Sequence, residues 1–193
     1  MKAPVLQALN AARRLKRPVV RAVRLEDGAD MVLEANTGSF TDMELHQAAA
    51  EALRSDRPQV VEMDGDEILL IPFNPPLRLI IVGAVHIAQF LAPMARLAGY
   101  AVTVVDPRGA FAQSTRFEGS TLVEDWPDDV LAADPPDSRT ALVTLTHDPK
   151  LDDAALVPAL QSPAFYIGAL GSKKTQAARL DRLRDGGLDD DTL

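Results

Sequence analysis

The fold of this chain is decided by the segment Arg78-Leu-Ile-Ile-Val-Gly-Ala-Val-His-Ile-Ala-Gln-Phe90. The segment begins as a short apolar run, turns at Gly83 and continues with the spacing of a helix. A second apolar run ends at Val105-Asp106, which places an acid 23 positions after the glycine. A strand, a tight turn, a helix, a second strand and a terminal acid are the layout of a dinucleotide-binding βαβ unit. The sequence therefore predicts such a unit here.

One position departs from the dinucleotide-binding fingerprint Gly-x-Gly-x-x-Gly/Ala. The chain supplies Gly83, Val85 and Ala88 at the three fixed positions. The middle glycine of the fingerprint lets a pyrophosphate approach the backbone, whereas valine places two methyl groups there. Val85 therefore disfavours NAD(P) as the ligand, although the βαβ layout keeps it as an alternative.

Composition excludes several classes of protein. The chain has 193 residues, a formal net charge of −8 and no cysteine. The acidic balance argues against nucleic acid or an anionic membrane as the main partner, and the lack of thiols excludes disulfides and a cysteine nucleophile. No apolar run reaches the roughly 18 residues that span a bilayer, and the N-terminus lacks a signal-peptide pattern. We therefore expect a cytoplasmic protein that binds neither nucleic acid nor membrane.

Two prolines after Asn74 mark the predicted boundary between two domains, because they favour an extended linker. The first domain, residues 1–73, mixes helix and strand patterns, and we expect a small α+β fold. Its predicted elements are helices over 4–17 and from about 41 to 55, strands at 19–25 and 31–33, and a hairpin within 60–71. The segment Thr41-Asp-Met-Glu44 reads as a capping box that opens the second helix.

The second domain, residues 77–193, alternates short apolar strands with helices. This alternation predicts a mostly parallel, doubly wound (Rossmann-like) sheet with helices on both faces. The helix over 86–98 is apolar nearly all round, so we expect it to be buried. We expect the acidic, proline-rich stretch 124–137 to be a loop. Because the chain stops at Leu193, we also expect this domain to lack its last strand and helix.

Ligands of an open parallel sheet bind beyond the carboxyl ends of its strands, and four predicted strand ends carry unusual residues. The binding candidates at the first three ends are Gly83, Ala84 and His86, then Asp106 and Arg108, then His147 and Asp148. Asp106 is placed to accept a ribose hydroxyl. Packing or capping is the alternative role for His86, and a solvated turn is the alternative for Arg108.

The fourth strand end combines two glycines, a serine and two lysines before a helix, which is typical of an anion cradle. Its candidates are Gly168, Gly171, Ser172, Lys173 and Lys174. The alternative is a plain helix cap at Ser172 followed by exposed lysines.

Carboxylates also follow the third strand. A hard-cation site formed by Asp148, Asp152 and Asp153 is one interpretation, but helix capping by Asp148 or Asp152 is the preferred one. We therefore assign no metal ligand and no catalytic residue.

Several blocks of the second domain resemble the XdhC/CoxI family, the maturation factors of molybdenum hydroxylases such as xanthine dehydrogenase and CO dehydrogenase. The blocks are the turn from Gly83 to Ala88, Asp106-Pro-Arg108, Arg116-Phe117, Leu145-Thr-His-Asp-Pro-Lys150, Asp152-Asp153 and Tyr166-Ile-Gly-Ala-Leu-Gly-Ser-Lys-Lys174. The resemblance implies a cofactor chaperone rather than an enzyme. Such a protein binds molybdenum cofactor (molybdopterin) and assists its insertion into an apo-hydroxylase. A homodimer is a further hypothesis.

Two departures from the family leave alternatives open. The family's cysteine-containing block in the first domain corresponds here to 36–44, which has no cysteine, so any role that needs a thiol is not carried over. Val85 replaces the middle glycine. The alternatives are an NAD(P)-dependent oxidoreductase, and a module that docks a partner enzyme through 124–137 and the first domain, with a vestigial cleft.

Overall fold

The computed structural model of the chain describes residues 1–34, 43–109 and 116–193. Their contacts divide into two units, Met1–Pro75 and Pro76–Leu193. The threonine of the predicted capping box, Thr41, lies outside the described residues, as does most of the cysteine-free block 36–44.

The N-terminal unit is an antiparallel sheet with one helix against each face. Its elements are α1 (Ala3–Arg14), β1 (Val19–Arg24), β2 (Asp30–Glu34), α2 (Met43–Ser55), β3 (Gln59–Met63) and β4 (Asp66–Phe73). The strand order is β2-β1-β4-β3. Side chains alternate along β1, so Val20 and Ala22 pack with α2 while Val19 packs with α1. The small α+β fold predicted for this part of the chain is confirmed.

The C-terminal unit is a parallel sheet of five strands. Its elements are β5 (Arg78–Val82), α3 (His86–Leu97), β6 (Ala101–Val105), β7 (Thr121–Val123), α4 (Pro127–Ala133), β8 (Thr140–Thr144), α5 (Pro149–Leu160), β9 (Tyr166–Ala169) and α6 (Lys173–Asp185). The order β7-β6-β5-β8-β9 corresponds to the first five strands of the Rossmann order 3-2-1-4-5-6. The predicted doubly wound sheet is therefore confirmed.

The helices of this unit lie on both faces of the sheet. Leu79 and Ile81 of β5 face α3, whereas Ile80 and Val82 face the side that α4, α5 and α6 cover. The central strand is therefore buried on both sides, which is why it reads in the sequence as a continuous apolar run.

The prediction of a loop over 124–137 is wrong, because α4 lies within it. Pro127 occupies the start of this helix and Asp128 and Asp129 its first turn. Proline is tolerated at the first helical position, where its missing N–H costs no hydrogen bond, and carboxylates there interact well with the helix dipole. Leu131 then anchors the helix in the core, 3% exposed. The same residues that suggested a loop are the start signals of a short helix.

The prediction that the helix over 86–98 is buried is also wrong. Alanines 88, 92 and 95 of α3 lie against the sheet, and the large apolar side chains point outward: Ile87, Phe90, Met94 and Leu97. Helix α3 is therefore apolar on nearly all sides but packs against the rest of the domain on one side only. None of the helices that the structure describes is long and apolar enough to cross a membrane.

Gly83 forms the turn between β5 and α3. Its φ is +109°, and its N–H donates to the carbonyl oxygen of Val105 at 2.8 Å. A Cβ at this position would meet Cγ2 of Thr146 at 2.6 Å. Glycine is therefore required here both by the backbone conformation and by the close approach of the β8 turn.

We expect Gly83→Ala to lower the free energy of unfolding of the C-terminal unit by about 3 kcal/mol, because backbone strain and crowding of Thr146 add together. Trp126 is the only tryptophan of the chain and lies in this unit, so its fluorescence during urea unfolding measures the loss.

The matched control is Gly99→Ala, since Gly99 has φ +91° but nothing within 4 Å of a Cβ. This variant carries the strain alone and should lose about 1 kcal/mol. Equal losses in the two variants would contradict the packing role of Gly83.

Candidate functional site

The carboxyl ends of β5, β6, β8 and β9 lie at one edge of the parallel sheet, together with the four groups of predicted binding residues. The strand order reverses at β5, between β6 and β8. In doubly wound sheets this switch point forms the crevice that binds ligands. Gly83 follows β5 and Thr146 follows β8, and the two residues approach each other closely at this point.

Asp106, directly after β6, is fully buried and hydrogen-bonded on both carboxylate oxygens. The N–H of Ala84 donates to Oδ2 at 2.8 Å, and the N–H of Arg108 donates to Oδ1 at 2.9 Å. The guanidinium of Arg108 adds a bidentate pair, with Nε on Oδ1 and Nη2 on Oδ2, both at 2.9 Å. The carboxylate therefore fixes the β5 turn to the β6 turn and orients Arg108.

Charge compensation keeps Asp106 ionised. Burial by itself raises the pKa of this carboxyl, but the hydrogen bonds from Arg108 and Ala84 and the positive charge of Arg108 outweigh it. The pKa of Asp106 therefore lies below its usual range. The same pairing raises the pKa of Arg108.

A second carboxylate, Asp152 in the first turn of α5, organises the turns after β8 and β9. Its Oδ1 accepts the hydroxyl of Thr146 at 2.6 Å, and its Oδ2 accepts Nη2 of Arg179 at 3.2 Å. The side chains of Asp152 and Arg179 are each only 2% exposed. We call this buried ion pair the Asp152–Arg179 pair.

Arg179 extends the network to the turn between β9 and α6. Its Nη2 donates to the carbonyl oxygen of Leu170 at 3.0 Å, and its Nη1 donates to Oε1 of Gln176 at 2.7 Å and to the carbonyl oxygen of Ala169 at 3.4 Å. The turns after β8 and β9 are therefore tied together through buried groups. With Asp106 on the opposite side, contacts run across all four strand ends.

The β9–α6 turn carries the lysines of the predicted anion cradle. The hydroxyl of Ser172 accepts the N–H of Thr175 at 3.1 Å, so Ser172 caps α6. Lys173 and Lys174 are exposed in the same first turn, where a helix offers N–H groups outward. A Cβ on Gly171 would lie 3.2 Å from Thr175, so the turn packs closely. The turn thus combines a formed cap with two exposed cations, and binding of an anion stays a prediction.

The histidines of the site are exposed, and His86 stacks edge-on against Phe90 with ring centroids 5.0 Å apart. His147 has φ +61°, a left-handed conformation that turns the chain before α5. Asp148 then accepts the N–H of Lys150 at 3.0 Å and caps this helix. Val85 is partly buried against the core beneath α3.

The three carboxylates of the alternative cation site are occupied by protein groups. Asp148 serves as a helix cap, Asp152 pairs with Arg179, and Asp153 binds Arg182 through two hydrogen bonds of 2.6 and 3.0 Å. Within 1–34, 43–109 and 116–193, no cluster of three or more histidines and carboxylates is arranged to hold a metal ion.

Sequence reasoning missed Thr146 as a network residue and Arg179 altogether. A signal was present in the helices. Asp152 precedes buried Leu156 by four residues and Arg179 precedes buried Leu183 by four, so both charges fall on the inward faces of α5 and α6. Opposite charges on two buried faces indicate an internal ion pair.

We expect Arg179→Met to lower the free energy of unfolding of the C-terminal unit by about 3–5 kcal/mol, because it leaves the carboxylate of Asp152 buried without its cation. The double variant Asp152→Leu/Arg179→Met should lose far less than the sum of its two single variants. Trp126 fluorescence in urea gives all the values.

The control is Arg182→Met, since the Arg182–Asp153 pair joins the same two helices but is 38% and 23% exposed. Its loss should not exceed about 1 kcal/mol. Additive losses in the Asp152–Arg179 cycle would contradict the coupling.

Because of Asp106, the stability of the C-terminal unit depends on pH in the acid range. Its folded-state pKa lies below the ordinary 3.8, so its contribution is complete above that value and is lost as pH falls through it toward the folded pKa. We expect Asp106→Asn to be less stable at neutral pH and to lose less stability than the unsubstituted chain between about pH 5 and pH 3. Parallel pH curves for the two proteins would contradict this role.

Comparison with known proteins agrees with this architecture. The family model of the XdhC Rossmann domain matches residues 79–193. The "Molybdenum cofactor insertion chaperone PaoD" of Escherichia coli (strain K12) is 31% identical over 119 residues, which are 61% of this chain and 30% of that protein. The chain therefore spans less than a third of the length of this relative.

A solved structure with the same fold is a protein of Bacillus halodurans that is called a xanthine dehydrogenase. It aligns with a TM-score of 0.53 and 18% identity over 91% of this chain and 82% of its own. At this identity the likeness concerns the fold alone. Because the family model covers more than half of the chain, this protein belongs to the XdhC Rossmann domain family.

Proposed function

We propose that this chain binds molybdenum cofactor at the carboxyl edge of the β5–β9 sheet and assists its insertion into a molybdenum hydroxylase. Membership in the XdhC Rossmann domain family supports this, as does the likeness to a relative called a molybdenum cofactor insertion chaperone. The observation that carries the proposal is the edge itself, where buried contacts join the turns after four strands at the switch point of the sheet.

The cofactor is the cargo here, and its chemistry matches the groups at the edge. Molybdopterin carries a phosphate and a pterin ring with hydrogen-bonding edges. Lys173 and Lys174, beside the N–H groups of the first turn of α6, suit the phosphate. The exposed side chains of His86 and His147 stand at the turns after β5 and β8 and suit the pterin. Strands β5 and β9 are separated by β8, so the turn after β5 and the turn that carries the two lysines start about 10 Å apart. One elongated ligand bridges such a distance.

The buried charges support binding by holding the turns in place, and they are already paired within the protein. Arg179 and Asp152 neutralise each other, and Arg108 and Asp106 do the same. The two lysines are outside these pairs and remain exposed. Their charge can therefore act on an incoming anion while the pairs hold the turns in place, which lowers the entropy lost on binding.

An NAD(P)-binding oxidoreductase is less well supported. In such a site the acid after the second strand accepts the ribose hydroxyls. Asp106 occupies that position, but each of its oxygens already accepts two hydrogen bonds from Ala84 and Arg108. A ribose would have to displace Arg108 and, in addition, approach the helix start past Val85.

We expect the double variant Lys173→Ala/Lys174→Ala to bind purified molybdopterin about 10-fold more weakly, because it removes two cations near the phosphate. Pterin fluorescence during titration measures the affinity. The matched control is Lys2→Ala/Lys16→Ala, which makes the same change in net charge on the N-terminal unit.

Equal affinities in the two double variants would remove the β9–α6 turn from the proposed site. Titration with NADH and NADPH belongs in the same experiment, since binding tighter than that of molybdopterin would overturn the proposed ligand. The partner-docking alternative predicts that this chain captures a molybdenum hydroxylase whether or not cofactor is present. It also predicts that the double lysine variant captures the hydroxylase as well as the unsubstituted chain does.

A further inference from the structure

A stripe of large apolar side chains runs along the outer side of α3. It consists of Ile87, Phe90, Met94 and Leu97, which we call the α3 stripe. Their exposed fractions are 49%, 58%, 65% and 91%. Exposed apolar residues that stand singly need no explanation, but a contiguous row of them marks a binding surface.

The spacing of the stripe is that of a helix-pairing seam. Its members are three, four and three residues apart, so they form one line along the helix. The alanines that pack α3 against the sheet lie on the other side of the same helix. The stripe is therefore an additional face that the packing of the domain does not use.

Charge favours this face for contact between two copies of the chain. Each copy carries a net charge of −8, so most of its surface repels another copy. Helix α3 contains no carboxylate. Its one arginine, Arg96, donates to the carbonyl oxygen of Glu118 at 2.6 Å and lies against Gly119, which draws its charge toward 118–119. Two α3 helices therefore meet without opposing acidic residues.

The area of the stripe is also sufficient. Its four side chains expose about 500 Å² per copy if each has roughly 200 Å² in all. Complete burial of the two stripes removes at most about 1,000 Å² from water, which is the lower limit for a specific protein interface. A two-fold axis makes a surface meet itself, and the α3 stripe is complementary to itself because Phe90 rings and Met94 thioethers pack well together.

We propose that the α3 stripe is the surface through which two copies of this chain associate. The stripe contains none of the residues assigned to the cofactor, but His86 contacts it through Phe90. Met94→Glu is therefore the variant that tests the stripe without changing a contact of a proposed cofactor residue.

The first test measures mass in solution by sedimentation equilibrium. The unsubstituted chain should approach twice 20.8 kDa as its concentration rises, and Phe90→Glu and Met94→Glu should each stay at 20.8 kDa. Both side chains are exposed, so the variants should fold, and far-UV circular dichroism checks this. The control Trp126→Glu changes an apolar side chain of similar exposure, 47%, at the start of α4 on the other face of the sheet, and should still dimerise.

The second test uses the absence of cysteine from the chain. A mixture of Phe90→Cys and Met94→Cys proteins should form disulfide-linked dimers under mild oxidation, because paired stripes bring these positions within disulfide reach. Trp126→Cys should form no disulfide-linked dimers over the same oxidation time. A chain that stays at 20.8 kDa at every soluble concentration overturns the proposal. So does a dimer that both glutamate variants leave intact.

Discussion

Two charges without access to solvent, those of Asp152 and Arg179, determine how the carboxyl edge of the sheet is built. Removing both from water is expensive, and their mutual attraction alone does not offset that cost. The remaining stabilisation comes from hydrogen bonds: Thr146 donates to the carboxylate, and Leu170 and Gln176 accept from the guanidinium. These partners belong to the β8 turn, the β9–α6 turn and α6 itself, so the ion pair makes all these bonds only when α5, α6 and the turns before them are in register.

The same constraint reaches the central strand through Thr146. Its hydroxyl is held by Asp152, and its methyl group occupies the space beside Gly83, where any side chain would collide with it. On the other side of Gly83, Asp106 binds the N–H of Ala84. The β5 turn is thus fixed from both directions by carboxylates that are already neutralised. The exposed lysines of the β9–α6 turn take no part in either of these pairs.

The sequence predicted the α/β architecture because its signals are local. Short, continuous apolar runs indicate parallel strands, and Gly83 indicates the turn. The features that the sequence did not predict depend on partners that are distant along the chain or on their surroundings in the fold. The acidic start of α4 resembles a loop in sequence, and it is helical because Leu131 anchors it in the core. The contact of Arg179 with Asp152 spans 27 residues, and no pattern within a single helix names the partner. Whether a ligand contacts the predicted residues depends on groups that the chain itself does not contain.

The prediction that α3 is buried fails because an apolar side chain does not indicate which molecule it contacts. Close packing of a helix on a parallel sheet needs only small residues on the inner face, and alanines meet that need. Large apolar residues outside therefore add nothing to the fold of the domain while they remain in water, and they favour aggregation. Burial against a second copy removes this cost. Since α3 begins at the turn that Asp106 holds, the helix that would join two copies starts at the carboxyl edge of each sheet.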